Sequence, residues 1–209
     1  MRGKFITFEG IEGCGKSTQI ERLAKRLTKL GKNVVKLREP GGTAIGEAIR
    51  EVVKHPAGND PIAPNTELLL MNASRAQLVQ QVIRPALAQC SIVLCDRFYD
   101  SSIAYQGYGF NSDVKKLEMV SDFATLDNSP ELTFYLDISI EKSISRRQYM
   151  EDDRIEKKGV EYLDKVRQGF LSIADKNPNR IITIDASLNR NKINNIVWNI
   201  VKEKYGFKD

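Results

Sequence analysis

Eight residues near the start of the chain have the types and the spacing that bind nucleotide phosphates. Residues 10–17 read G-I-E-G-C-G-K-S, a G-x-x-x-x-G-K-S pattern, and they follow the apolar residues 5–8. Glycines let backbone N–H groups turn inward around phosphate oxygens, and a helix that starts behind them adds its positive end. Lys16 can reach the outer phosphates, and the Ser17 hydroxyl can ligate Mg²⁺. The pattern therefore predicts a phosphate-binding loop.

A second group of cationic and polar residues lies outside this loop. Arg50, Arg75 and Arg97 are accompanied by residues 96–107, which read D-R-F-Y-D-S-S-I-A-Y-Q-G. Guanidinium groups bind phosphate through two parallel hydrogen bonds, so these arginines suit a second phosphate-bearing substrate. The loop alone would also serve a GTPase or an ATPase motor, but the N-K-x-D sequence with which GTPases usually read guanine does not occur. The combination favours a small-molecule kinase.

Short apolar runs alternate with helical patterns along the chain. The first helical pattern follows the loop and ends at Gly31, and a second covers 43–54. A long pattern runs from 65 towards 90, and we expect it to bend near Pro85. Further helical patterns cover 114–126, a polar stretch after Asp137, and a closing helix around 193–201. The apolar runs predict strands at 5–8, 33–37, 91–95, 132–136 and 181–184. This alternation predicts an α/β fold, a five-stranded parallel sheet with helices on both faces. Polar residues follow the strands at the edge where such sheets bind ligands: Glu9, Arg38, Glu39, Asp96, Arg97, Asp137 and Asp185.

The composition indicates the kind of ligand and compartment. Lys and Arg number 32 against 27 acidic residues, giving a net charge of +5 and a pI of about 9.0, which suits a polyanion, either nucleic acid or nucleotide.

No apolar stretch approaches the roughly 18 residues that a membrane span needs. The chain begins with a strand pattern, so we expect no signal peptide. Cys14, Cys90 and Cys95 lack metal-binding spacing, and a reducing cytoplasm is the simplest expectation.

The order of these motifs resembles that of bacterial thymidylate kinases over nearly the whole chain. The D-R…S-S…A-Y-Q-G block is the most specific match, since many families share the loop. The matching segments are 8–19, 38–43, 73–75, 96–107 and 153–156. The resemblance implies a P-loop kinase fold in a single domain over 1–209, with a short charged lid at about 146–158. It implies the reaction ATP + dTMP → ADP + dTDP for dTTP synthesis, carried out by a cytoplasmic homodimer without nucleic-acid or membrane partners.

The resemblance also implies the roles of individual residues. Lys16, Arg97 and Arg154 are expected to be catalytic, while Ser17 and Asp96 hold Mg²⁺, Asp96 through water. The ATP phosphates are expected to contact Gly10, Ile11, Glu12, Gly13, Cys14, Gly15, Lys16, Ser17 and Thr18. The residues expected to bind dTMP are Glu12, Arg50, Met71, Arg75, Arg97, Ser101, Ser102, Tyr105 and Gln106.

For the residues expected to bind dTMP, the family pattern implies which part of the nucleotide each one contacts. Arg50 and Arg97 grip the phosphate, and Glu12 lies near the deoxyribose 3′-hydroxyl, with Tyr105 beside the sugar. Thymine is expected to contact Arg75, Ser101 and Gln106. Structural roles remain open alternatives: a surface ion pair for Arg50, orientation of Arg97 for Asp96, core packing for Tyr105, and helix capping for Ser101, Ser102 and Gln106.

Two positions depart from the family pattern. Met71 stands where the family commonly has a phenylalanine stacked on the base, and a thioether offers sulfur contact but no flat ring. In the lid, Tyr149 and Met150 occupy the neighbourhood where relatives with no basic residue in the loop carry an arginine. We expect Arg154 to supply this charge, with Arg147 second, whereas an exposed charged helix is the plainer alternative for Arg146 and Arg147.

Rival functions remain open from the sequence. One is a kinase for another nucleoside monophosphate or for a deoxynucleoside, which a substrate panel separates. Another is a nucleic-acid-binding ATPase, which the positive charge suggests, but Lys115-Lys116 and Lys157-Lys158 are isolated pairs without interleaved aromatic residues. A non-catalytic nucleotide sensor would leave the second group of arginines without a role.

Overall fold

The fold is built on five parallel strands. The computed structural model describes residues 2–56, 61–148, 154 and 156–207. The sheet in this part of the chain has the order β2-β3-β1-β4-β5. Its strands are β1 (Lys4–Glu9), β2 (Val34–Arg38), β3 (Ile92–Asp96), β4 (Leu132–Asp137) and β5 (Ile181–Asp185). The predicted five-stranded parallel sheet is confirmed.

Helices connect the strands and cover the sheet. They are α1 (Lys16–Lys29), α2 (Ala44–Lys54), α3 (Pro64–Leu78), α4 (Arg84–Ala88), α5 (Tyr99–Ser102), α6 (Val114–Thr125), α7 (Ile140–Arg147), α8 (Val160–Lys176) and α9 (Arg190–Tyr205). Two π-helical turns, Val79–Ile83 and Ile103–Tyr108, and a 3₁₀ turn, Glu156–Lys158, complete the regular structure of the described residues. None of the helices in the described ranges is long and apolar enough to cross a membrane.

Strands β1 and β3 are buried on both faces of the sheet, because their successive side chains enter different cores. Ile6 and Leu94 pack in the larger core with α1, α8 and α9. Phe5, Val93 and Cys95 pack in the smaller core with the end of α3, the following π turn and α4. This explains why the strands are apolar runs without alternation, as in sheets covered on both faces.

The expected distortion of the long helix near Pro85 takes the form of a π turn. The helix leaves α geometry earlier, in the π turn Val79–Ile83, and resumes as α4 with the proline in its first turn. Proline has no N–H to donate to the carbonyl of Gln81 and its ring crowds that turn, so the distortion falls before it.

Two helical segments were not predicted. α8 has 17 residues and buries Leu163, Val166, Phe170 and Ile173, a helical spacing that the charged residues between them obscure. The other is α5 with its π turn. These elements contain most of the second polar block, residues 96–107, and residues 100–107 are buried. Of the expected lid at 146–158, residues 149–153 and 155 lie outside the described part of the chain, and so do Tyr149 and Met150.

Candidate active site

The phosphate-binding loop connects β1 to α1. Its glycines have positive φ angles, 136° at Gly10, 77° at Gly13 and 97° at Gly15, which residues with a side chain rarely adopt. Gly15 is the N-cap of α1, and neither a side-chain cap nor an acidic residue occupies the first turn. The first N–H groups of the helix therefore have no side-chain acceptor at this helix end, as phosphate binding requires.

Lys16 folds back over the loop. Its Nζ donates to the carbonyl oxygens of Gly10 at 3.1 Å and Ile11 at 3.3 Å, and the residue is buried. Burial and Arg97 act against its charge, but Cys14, Asp96 and Glu12 outweigh them, so its pKa lies above the ordinary value. The amine is therefore charged in the loop. Glu12 shares this field, because Lys16 lowers the pKa of its carboxyl.

Ser17 and Asp96, the two residues expected to hold Mg²⁺, meet at the edge of the sheet. The Ser17 hydroxyl donates to Oδ2 of Asp96 at 2.7 Å, joining the start of α1 to the end of β3. A hydroxyl and a carboxylate are the oxygen ligands that Mg²⁺ prefers, and one or two protein ligands leave positions for water and phosphate oxygens. The donor set therefore fits Mg²⁺.

Arg97 lies at the junction of the loop and the second polar block. It follows β3 with a left-handed φ of 71°, which turns its side chain back across the end of β1. One guanidinium nitrogen donates to the Gly10 carbonyl at 2.9 Å and to the Ser101 hydroxyl at 3.2 Å, and the other lies 3.4 Å from Oε2 of Glu12. The guanidinium also covers the ring of Tyr105, 5.0 Å from its centroid.

Glu9 supports this turn from beneath. It is fully buried at the end of β1 and accepts hydrogen bonds from the Phe98 N–H at 2.7 Å and the Ser101 hydroxyl at 2.5 Å. Burial, followed by the charge of Asp100, raises the pKa of Glu9 to about 8. Glu9 therefore holds the Phe98 N–H, which follows Arg97 in the chain, and the Ser101 hydroxyl, which accepts a hydrogen bond from Arg97.

A cavity of about 360 Å³ opens beside Arg97. Every residue that the sequence predicted to bind dTMP lines it: Glu12, Arg50, Met71, Arg75, Arg97, Ser101, Ser102, Tyr105 and Gln106. Residues that were not predicted to bind dTMP also line it: Glu39, Pro40, Val53, Lys54, Phe98, Arg147 and Arg154. The structure thus brings the second polar group together, on the other side of Gly10 from α1.

Arg75 is held rigidly at one side of this cavity. Its Nε donates to Glu39 at 2.9 Å, and its terminal nitrogens donate to Asn72 at 2.8 Å and Ser102 at 3.0 Å. Burial raises the pKa of Glu39 to about 6 even though Arg75 opposes the shift. Glu39 was predicted only as part of the strand end, and this buried pair shows that it orients the guanidinium fork of Arg75.

The remaining predicted residues have mixed surroundings. Arg50 donates to the Pro40 carbonyl at 3.0 Å, so it faces the cavity. Tyr105 is both a cavity residue and a core residue, because its ring packs edge-on against Phe170 at 6.0 Å. Met71 lies on α3 with its side chain at the cavity wall.

The arginines of the lid region differ in their contacts. Arg146 donates to the carbonyls of Gly13 at 3.2 Å and Ala186 at 2.9 Å. Arg147 is buried at the end of α7, and a Cβ on Gly13 would lie 3.3 Å from its Cγ, so it packs against the phosphate-binding loop. Arg154 lies on the far side of the cavity, where it donates to the Val53 carbonyl at 3.1 Å and to Glu67.

Two functional candidates, Glu39 and Glu67, were missed as site residues by sequence reasoning, and a third, Arg147, was ranked second. Arg147 was expected only as second choice to Arg154, although its place at the end of the polar helix after β4 points towards the loop. Glu39 ends a strand, which was a usable signal. Glu67 stands in the apolar run E-L-L-L-M, and a charged residue there was the only sign of a buried carboxylate.

The chain is similar to known proteins over nearly its whole length. The family model described as thymidylate kinase matches residues 8–197. A thymidylate kinase of Thermoanaerobacter sp. (strain X514) is 43% identical over 203 residues, covering 97% of this chain and 99% of its own. One from Chlorobaculum tepidum is 46% identical over 198 residues, covering 90% and 92%.

A solved structure supports the same conclusion. The crystal structure of a thymidylate kinase from Ehrlichia chaffeensis superposes with a TM-score of 0.73 at 38% identity, covering 88% of this chain and 93% of that one. The predicted family and its P-loop kinase fold are therefore confirmed. With a phosphate-binding loop and a polar cavity meeting at Gly10, the chain belongs to the thymidylate kinase family.

Proposed function

We propose that this protein transfers the γ-phosphoryl group of ATP to dTMP, giving ADP and dTDP. The observation that carries the proposal is the meeting of two cationic compartments at the Gly10 carbonyl, with Lys16 on one side and Arg97 on the other. Phosphoryl transfer needs alignment and charge neutralisation more than covalent help, and this arrangement supplies both. The loop residues Gly10 to Thr18 would hold the ATP phosphates.

In this proposal, dTMP occupies the cavity with its phosphate towards the loop. Arg97 and Arg50 bind that phosphate, and Glu12 lies near the 3′-hydroxyl. Thymine extends towards Arg75, Ser101 and Gln106, while Met71 contacts the ring and Tyr105 and Ser102 line the sugar and base. The support is that these side chains line one cavity with Arg97 at its end nearest Lys16.

We further propose that the reaction uses Mg²⁺, held by Ser17 directly and by Asp96 through water. When bound, the ion neutralises charge on the phosphate oxygens. Ser17 and Asp96 lie next to each other through their 2.7 Å hydrogen bond, which supports a shared role at one ion.

The lid arginines have different roles in this proposal. Arg154, the first choice from the sequence, forms an ion pair with Glu67, and we expect it to hold the end of the lid against the cavity. Arg147 packs on Gly13 and also lines the cavity, so it is better placed to neutralise the phosphoryl group during transfer. Closure of such a segment excludes water from the reacting phosphates.

We propose that the protein is a homodimer through the outer face of α2, α3 and α6. α3 packs between the other two helices. Large apolar side chains are exposed along this face: Ile45, Val52, Leu69, Met119, Phe123 and Leu126. Phe123 is 83% exposed, which is costly for an isolated chain and is typical of an interface. The cysteines are thiols rather than disulfides, which supports a cytoplasmic location.

The direct test is turnover of a substrate panel by the purified protein with ATP and Mg²⁺. The expected result is formation of dTDP from dTMP at a higher kcat/KM than for dCMP, dAMP, dGMP or thymidine. Efficient turnover of another monophosphate without turnover of dTMP would contradict the assignment. ATP hydrolysis stimulated by DNA or RNA would favour the ATPase alternative instead.

A further inference from the structure

Glu67 is a buried carboxylate whose two oxygens have different partners. It lies near the start of α3 and has no exposed surface. Oε1 accepts a hydrogen bond from Nε2 of Gln106 at 2.7 Å. Oε2 accepts from Arg154 and lies 3.8 Å from Nζ of Lys158. The residue thus joins a side chain of the cavity wall to two cations in the last part of the lid.

This pairing fixes the orientation of the Gln106 amide. A carboxylate can only accept hydrogen bonds, so the NH₂ group of Gln106 must face Oε1. The other branch of the same amide is its carbonyl oxygen, and Gln106 lines the cavity. Gln106 therefore presents an acceptor, not a donor, to a base in the cavity.

We propose that Glu67 is a specificity-determining positioning residue that makes the site accept thymine and reject cytosine. The proposal rests on the proposed function, since it concerns the base of the same dTMP site. N3 of thymine carries a hydrogen and donates, whereas N3 of cytosine has a lone pair and accepts. A fixed carbonyl oxygen on Gln106 pairs with the first and repels the second.

The cations at Oε2 make this orientation depend on the charge of Glu67 rather than on its shape. In Glu67→Gln, the amide oxygen stays with Arg154 and Lys158, because an NH₂ group cannot accept from them. The new NH₂ group then faces Gln106, whose amide must turn to offer its oxygen. That rotation places the NH₂ group of Gln106 in the cavity, where it suits N3 of cytosine.

The experiment compares dTMP with 5-methyl-dCMP, which keeps the methyl group and differs only in the edge formed by positions 3 and 4. The readout is the ratio of kcat/KM for the two nucleotides. We expect Glu67→Gln to lower this ratio by about tenfold or more, since a mismatched buried hydrogen bond is strongly discriminating. The ratio of dTMP to dUMP should stay unchanged, because both bases carry N3–H.

Two further variants separate positioning from general damage. Arg154→Met removes a partner of Oε2 but leaves the Gln106 branch intact, so it should keep the wild-type ratio of dTMP to 5-methyl-dCMP. Gln106→Leu removes the side chain that contacts N3, so this single change should lower the ratio of dTMP to 5-methyl-dCMP. Adding Glu67→Gln to it should lower the ratio no further. This second variant tests the idea even if Glu67→Gln does not fold.

A folded Glu67→Gln protein with the wild-type ratio would overturn the proposal. So would a Gln106→Leu protein that discriminates as well as the wild type. If the wild-type protein does not phosphorylate dTMP, the proposed function fails instead. The two failures are therefore distinguishable.

Discussion

Lys16 and Arg97 donate hydrogen bonds to the same backbone oxygen, the carbonyl of Gly10, at 3.1 and 2.9 Å. Lys16 belongs to the loop after β1, and Arg97 follows β3, which pairs with β1 in the sheet. Two cations at one oxygen repel each other, and Arg97 indeed acts to lower the pKa of Lys16. Phosphate groups from two nucleotides would relieve that repulsion, so the geometry favours their meeting there.

Lys16→Met should strongly reduce transfer while leaving the acceptor site intact. We expect kcat to fall on the order of 10²- to 10³-fold, because a charge aligned with the transferring group is lost. dTMP binding measured by calorimetry should change little. Lys25→Met, which alters a lysine of the same helix with a 72% exposed side chain, is the matched control and should keep full activity. Equal loss of dTMP binding and turnover would contradict this separation of the two compartments.

The two lid arginines should affect different kinetic constants. Arg147→Met should lower kcat on the order of 10²-fold with a small change in the KM for dTMP, because it lies against Gly13. Arg154→Met should mainly raise that KM, because Arg154 holds the cavity wall through Glu67 and Val53. Steady-state kinetics on both variants shows which arginine affects kcat and which affects the KM for dTMP. The reverse pattern would return the catalytic role to Arg154.

Glu9 should make the folded state less stable as the pH rises. Its pKa is about 8 in the folded protein against an ordinary value of 4.5, so the unfolded chain loses this proton first. The contribution of Glu9 to stability is therefore present below pH 4.5 and is lost between about 4.5 and 8, by an amount on the order of a few kcal/mol. Glu9→Gln keeps the shape of the side chain but cannot ionise.

The measurement is the free energy of unfolding by denaturant at several pH values between 5 and 8. Wild-type stability relative to Glu9→Gln should decrease steadily across that range. Parallel curves for the two proteins would show that Glu9 ionises as easily in the folded state as in the unfolded chain.

Phe123→Glu should convert a dimer to monomers. The ring is 83% exposed on α6, and a charge there would be buried without a partner in the proposed interface. Analytical ultracentrifugation at micromolar concentration measures the change. Ile144→Glu, at an exposed apolar residue of α7 away from that face, is the control and should remain dimeric. A monomeric wild-type protein would contradict the interface.

Features that depend on local sequence were predictable. The loop from Gly10 to Ser17 is a contiguous motif whose glycines and following helix fix its shape, and the apolar runs identified every strand within a residue or two at each end. The cavity residues were found from the family pattern, which already places separate segments in one site.

Features that depend on how distant segments meet were not predictable. The bond between Glu67 and Gln106 joins residues 39 positions apart, and the contact of Arg154 with Glu67 spans 87. No local sequence pattern predicts which buried carboxylate contacts which amide. α8 was different, because the helical spacing of Leu163, Val166 and Phe170 is present in the sequence. The charged residues between them obscured this spacing.

The central claim is that donor and acceptor phosphates meet between Lys16 and Arg97. Its most direct test is the affinity of an analogue in which adenosine and thymidine are joined by five phosphates, measured by calorimetry beside ATP and dTMP. We expect it to bind on the order of 10²-fold or more tightly than either nucleotide and to displace both. An analogue that binds no more tightly than ATP and leaves dTMP in place would contradict the claim.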